Sequence, residues 1–97
     1  MKTTENIKEI LVEHRAELKK LFKVQEIGLF GSYVRDQQNE SSDVDILVEF
    51  DEPIGLISFV GLKNYLSDLL GVEVDLVMKN ALKPRIGKRI LKEVVYV

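Results

Sequence analysis

Two carboxylates one residue apart, Asp43 and Asp45, follow the pair Gly31-Ser32 after a gap of ten residues. The run from Asp43 to Phe50 alternates, so Asp43, Asp45, Leu47 and Glu49 share one face of a strand while Val44, Ile46, Val48 and Phe50 share the other. Residues two apart on a strand have Cα atoms about 6.6 Å apart, from a rise of ~3.3 Å per residue. Both side chains can therefore converge on one divalent ion, and without a cation the two charges repel. Gly31-Ser32 closes an apolar run, Val24 to Phe30, that reads as a strand. A glycine there lets the backbone turn sharply and a ligand approach closely, and Ser32 can cap a short helix beginning at Tyr33. A strand, a tight turn and a helix N-terminus make an anion site, because free N–H groups and the helix dipole point the same way. A third acid, Asp75, stands alone among Val and Leu, where a charge is costly unless paired or bound to a metal. Each part also has a plainer reading as a turn or a solvated acidic strand; spacing and sidedness decide between them.

The elements that must position these residues can be read from periodicity. Ile7, Ile10, Leu11, His14, Leu18, Leu21 and Phe22 recur at helical spacing and predict one amphipathic helix from about Thr4 to Phe22, capped by Thr3 or Thr4. His14 reads as a boundary residue with a hydrogen-bonded ring rather than a ligand. After the polar stretch Gln37–Ser42 and the second strand, Pro53 and Gly55 break the chain. Leu56, Phe59, Val60, Leu66, Leu69 and Leu70 then outline a helix closed by Gly71. Val72 to Met78 is a third strand, with Val72, Val74, Leu76 and Met78 on one face and Glu73, Asp75 and Val77 on the other. Pro84 leads a last helix, about Arg85 to Glu93, with Ile86, Ile90 and Val94 inward and Lys83, Arg85, Lys88, Arg89 and Lys92 outward.

This order, α-β-α-β-α-β-α, predicts an α/β (α+β) fold with helices packed on a small three-stranded mixed sheet. For Ser32, at the end of the first strand, to meet Asp43, at the start of the second, those strands must run antiparallel. A helical crossover making the second and third strands parallel sets Asp75 beside the pair, ~4.8 Å away across the ladder.

Composition sets outer bounds. With 97 residues, the chain is expected to form one domain, 1–97, with one core. Its 45% hydrophobic and 31% charged residues include no apolar run long enough for a membrane span and no signal-like start, which predicts a cytoplasmic protein. With no cysteine, a metal would have to be held by oxygen or by the lone histidine, which favours a hard cation. From Asp36 to Leu62 there are seven acids and no Lys or Arg, an arrangement that repels nucleic acid laid directly across it.

Three carboxylates and an anion site at one end of a sheet have one natural use. Magnesium held by Asp43 and Asp45 can bridge the phosphates of a nucleoside triphosphate while Ser32 and the turn hold its distal end. A second ion shared with Asp75, ~3.5–4 Å from the first, would align an attacking hydroxyl with the α-phosphate. The reaction class is nucleotidyl transfer with loss of pyrophosphate.

Leu29-Phe30-Gly31-Ser32-Tyr33-Val34-Arg35, followed by Ser42-Asp43-Val44-Asp45-Ile46-Leu47-Val48 and then Asp75, resembles the DNA polymerase beta-like nucleotidyltransferase superfamily, specifically its minimal (MNT) branch. The resemblance implies that fold, with Asp43, Asp45 and Asp75 as catalytic metal ligands and Gly31 and Ser32 at the triphosphate. It gives Arg35 a phosphate-binding or local supporting role. It further implies a two-ion magnesium site, ATP as substrate and no direct nucleic-acid binding. Larger members carry a domain that binds the acceptor, for which this chain has no room. The implied partner is a HEPN-domain RNase toxin, held in a hetero-oligomer and neutralised by transfer of AMP to a tyrosine. Two rival readings are an antitoxin that acts by binding alone and a small-molecule nucleotidyltransferase completed by a helical partner subunit.

Overall fold

The structure is a computed structural model that describes residues 3–39 and 41–97. Helix α1 (Thr4–Glu13) starts at Thr3, whose side-chain oxygen accepts the Asn6 N–H at 3.1 Å while the Asn6 side chain accepts the Thr3 N–H at 3.1 Å. These two bonds satisfy donors that a helix start leaves free. The single helix expected to reach Phe22 is divided at His14, and α2 runs over Arg15–Phe22. The ring of His14 causes the break: its Nδ1 lies 2.8 Å from the Ile10 carbonyl that also accepts the His14 backbone N–H at 3.2 Å. That contact requires the proton on Nδ1, and the competition for one carbonyl loosens the turn. α2 consequently buries Leu18 and leaves Leu21, expected on the apolar stripe, 59% exposed.

The chain then forms β1 (Val24–Phe30), β2 (Val44–Phe50), α3 (Leu56–Leu70), β3 (Val74–Met78), α4 (Pro84–Glu93) and β4 (Val95–Tyr96). The fold class is as expected, a mixed α/β architecture, but the sheet has four strands in the order β3-β2-β1-β4, not three. β1 is antiparallel to β2 and β4, and β2 is parallel to β3 across the α3 crossover. β4 has only two residues, too few for alternation to reveal. Gly28 admits it: a Cβ at that position would sit 2.7 Å from Val94 Cγ2 and 3.1 Å from the Val95 carbonyl oxygen. A glycine inside a strand thus marks a close backbone approach.

The main core lies between one sheet face and α1, α2 and α3, around Ile7, Leu11, Ile27, Ile46, Leu62 and Leu66. A smaller cluster on the opposite face joins Phe30, Leu47 and Ile90, so α4 covers the face that also carries the odd-numbered acids of β2 and β3. Ile86 was expected inward but is 59% exposed; Gly87, Ile90 and Val94 take the inward row, and Gly87 packs on Leu82. Gly61 in α3 has room for a side chain, because a Cβ there would lie 3.8 Å from Phe22 Cε1, an ordinary contact. Gly61→Ala is expected to raise stability by about 0.5–1 kcal/mol through helix propensity, read as a higher urea midpoint.

Candidate active site

The strand register carries the site. Asp45 stands opposite Phe30 on β1 and opposite Asp75 on β3, so two carboxylates face each other directly across a parallel ladder. The chain turns at Gly31, the residue after Phe30, with φ +80°, in the left-handed region that glycine enters without penalty. A Cβ at Gly31 would collide with Asp45 Oδ2 and lie 2.8 Å from its Cγ. The glycine thus lets the turn close directly over the Asp45 carboxylate. Asp43, expected as the first strand residue, precedes β2 by one position and is exposed. Its neighbour Val44 begins the ladder, donating its N–H to the Glu73 carbonyl at 2.9 Å.

The helix expected from Tyr33, with Ser32 as its cap, does not form. Gly31–Tyr33 makes a single 3-10 turn, the Val34 and Arg35 N–H groups both donate to the Gly31 carbonyl, and Asp36 ends the turn at φ 57°. Tyr33 is buried, and its carbonyl accepts the Thr4 hydroxyl at 2.6 Å, so the turn is pinned to the start of α1. The residues from Gln37 to Ser42 are polar and offer no apolar face to extend a helix. The expected anion site would therefore have a tight turn to rest on, without the dipole of a helix behind it. Ser32 is half-buried in that turn. The connection to β2 is held by Asn39, whose side-chain oxygen accepts from the Ser41 N–H and hydroxyl at 2.9 and 2.7 Å.

Arg35 reaches α4, donating through Nη1 to Glu93 at 2.7 and 3.2 Å and through Nε to Gln37 at 3.2 Å. Its positive charge acts favourably on the Asp45 carboxylate. Sequence reading missed Glu93 as its partner, since the two are 58 positions apart and no periodicity links them. The recess of about 410 Å³ lined by Glu49, Asp51, Glu52 and Met78 lies at the other end of β2 and holds none of these residues.

Burial pushes the Asp45 carboxyl up to about 6, with the Asp75 charge, its hydrogen bond and the Asp43 charge adding to the effect. A raised value means that the folded protein favours protonated Asp45 more than the unfolded chain does. Its contribution to stability is complete below pH ~4 and is lost as pH rises through about 6. Allowing for solvent screening, the loss is about 1–2 kcal/mol. Urea midpoints measured from pH 4 to 7 in chelator should fall accordingly, and Asp45→Asn should flatten that dependence.

Among the described residues no three acidic or histidine side chains form a ready metal cage. The expected triad is therefore not gathered as three converging side chains: the register sets Asp45 and Asp75 opposite each other and leaves Asp43 exposed before β2. One or two carboxylates, with water and substrate phosphates, are a usual shell for magnesium. The donors are hard oxygens, and the crowding of negative charge on Asp45 is what a cation would relieve.

The nucleotidyltransferase domain family model matches residues 11–97 of this chain. The protein adenylyltransferase MntA of Thermococcus cleftensis is 56% identical over 97 residues, covering 100% of this chain and 98% of its own. A solved structure of a candidate minimal nucleotidyltransferase superposes with a TM-score of 0.75 at 33% identity, over 92% of this chain and 93% of that one. A crystal structure of a toxin-antitoxin with AMP-PNP gives a TM-score of 0.71 at 26% identity, over 96% of this chain and 71% of that one.

Proposed function

This chain belongs to the nucleotidyltransferase domain family, and we propose that it is a magnesium-dependent protein adenylyltransferase that acts as an antitoxin on a HEPN-domain partner. The carrying observation is the direct opposition of Asp45 and Asp75 beneath the Gly31 turn. The similarity to a protein adenylyltransferase and to a toxin-antitoxin with AMP-PNP supports ATP as donor and a protein as acceptor. The proposed setting is the cytoplasm, where both are found; no helix among the described residues is long and apolar enough to cross a membrane.

In this reading Asp45 and Asp75 would hold magnesium, with Asp43 brought in as the third ligand when the ion and the triphosphate bind; the ion would neutralise phosphate charge and lower the barrier to hydroxyl attack. Gly31 and Ser32 seat the triphosphate, the glycine by letting backbone and phosphate approach without a side chain between them. The tyrosine oxygen forms a bond to the α-phosphorus, the bond from that phosphorus to the bridging oxygen breaks, and pyrophosphate leaves with the electron pair. The hydroxyl proton passes to the exposed Asp75 carboxylate. Arg35 and Glu93 hold the turn against α4. ATP labelled at the α-phosphate, magnesium, this protein and its cognate partner should give labelled partner. An antitoxin that works by contact alone would instead bind and neutralise without transferring label.

A further inference from the structure

The third acid sits on a strand whose outer side is open. β3 is the sheet edge beyond β2, and among the described residues no strand pairs with it on that side. The hydrogen bond from the Val44 N–H to the Glu73 carbonyl fixes the phase of the parallel ladder. With Val44 paired to Val74, the N–H groups of Asp75 and Val77 turn toward β2, while those of Val74, Leu76 and Met78 turn outward. The Val74 N–H is taken by the Ser67 hydroxyl at 3.2 Å. Leu76 and Met78 are left facing outward.

Edges of this kind are normally blunted by charge, proline or brevity. The other edge is protected in that way, since β4 is only Val95–Tyr96 and Lys79 Nζ lies 5.4 Å from the Tyr96 ring. β3 reads Val-Asp-Leu-Val-Met, and its one charge is Asp75. A segment added along β3 would place alternate side chains on the face shared by Asp75 and Asp45. A peptide docked elsewhere would not be brought into register with them.

We propose that the acceptor is presented as an extended polypeptide segment of the partner, added as a fifth strand on the outer edge of β3, with its tyrosine on the Asp75 face. This rests on the adenylyltransferase reading for what happens to the tyrosine, though not for the strand pairing. The tests use the complex of the full chain with its cognate partner. Amide hydrogen exchange at Leu76 and Met78 should slow at least about tenfold in the complex, relative to the free protein. Asp75 and Val77, already bonded to β2, serve as references. Unchanged exchange at both outward amides in a formed complex would overturn the proposal.

A second arm uses Met78→Pro, which removes an outward N–H at a residue whose φ of -80° suits proline. Met78→Ala, which keeps the N–H, is its control for lost packing. Met78→Pro should raise the KM for the partner about tenfold over Met78→Ala, with ATP binding alike in the two; equal KM values would count against the proposal. If wild type binds the partner with protected Leu76 and Met78 but transfers no label, the enzymatic reading fails and strand addition stands. If label is transferred with no protection, strand addition fails and the enzyme stands.

Discussion

Asp45→Asn should abolish label transfer, lowering it by about 10²–10³-fold or more, the scale on which a stabiliser of transition-state charge acts. The same change should make the metal-free protein more stable near pH 7, by about 1–2 kcal/mol after discounting for solvent screening. The two effects share one cause. Asp45 is half-buried under Gly31, opposite Asp75 and close to Asp43, and its charge is unfavourable there in the metal-free protein. An asparagine removes the charge and leaves the shape. Asp43→Asn should lose transfer on a similar scale. Transfer assays with the intact partner, paired with urea melts in chelator, read both quantities. A variant that lost stability and activity together would point to a structural role for Asp45.

Gly31→Ala is expected to produce the second large effect, this time with both quantities falling. The left-handed backbone costs about 1–2 kcal/mol for a residue with a Cβ, and displacing the Asp45 carboxylate adds overpacking of about 1–2 kcal/mol. A total near 2–4 kcal/mol should appear in the urea midpoint, with transfer reduced at least about a hundredfold. The clash can be separated from the backbone strain by a double-mutant cycle. Asp45→Ala removes the atoms that a Cβ at position 31 would strike at Oδ2 and Cγ. In that background, Gly31→Ala should cost the backbone strain and a small remainder from the tight 3.1 Å contact with the Cβ of residue 45. Full additivity would mean that the glycine is needed for its conformation alone.

The parts of this fold that were legible in the sequence are those where one face of an element is buried. The alternation of Val44, Ile46 and Val48 against Asp43, Asp45 and Leu47 located β2 to within one residue; Val44, Ile46 and Val48 are buried as expected, while Leu47 on the other face is buried too, because α4 covers it. The antiparallel and parallel pairings followed from requiring Ser32, Asp43 and Asp75 to lie at one end of the sheet, and the register places Asp45 opposite Asp75. What escaped depends on contacts between distant residues or on geometry too local for a pattern. The 3-10 turn at Gly31–Tyr33 was read as a helix because Ser32 is a good cap, but a cap cannot sustain a helix without an apolar face after it. β4 rests on a glycine 67 or more positions earlier in the chain, and the His14 break rests on a ring nitrogen competing for one carbonyl. In the inward row of α4, Ile90 and Val94 are as expected and only Ile86 is not: Gly87 looks polar in a pattern of Ile and Lys, yet it is the residue that fits against Leu82.

Arg35 illustrates a residue whose role depends on what the fold places beside it. The family resemblance implies a phosphate-binding or local supporting role, and the structure pairs Arg35 with Glu93 while leaving its charge within reach of Asp45. It links the Gly31–Tyr33 turn to the helix covering the same sheet face.

Intact mass spectrometry of the cognate partner, after incubation with this protein, ATP and magnesium, separates an adenylyltransferase from a binding antitoxin. The partner should gain the mass of one adenylyl group, mapped to a tyrosine and absent with Asp45→Asn. A partner that is bound and neutralised by the wild-type protein yet unchanged in mass would contradict it.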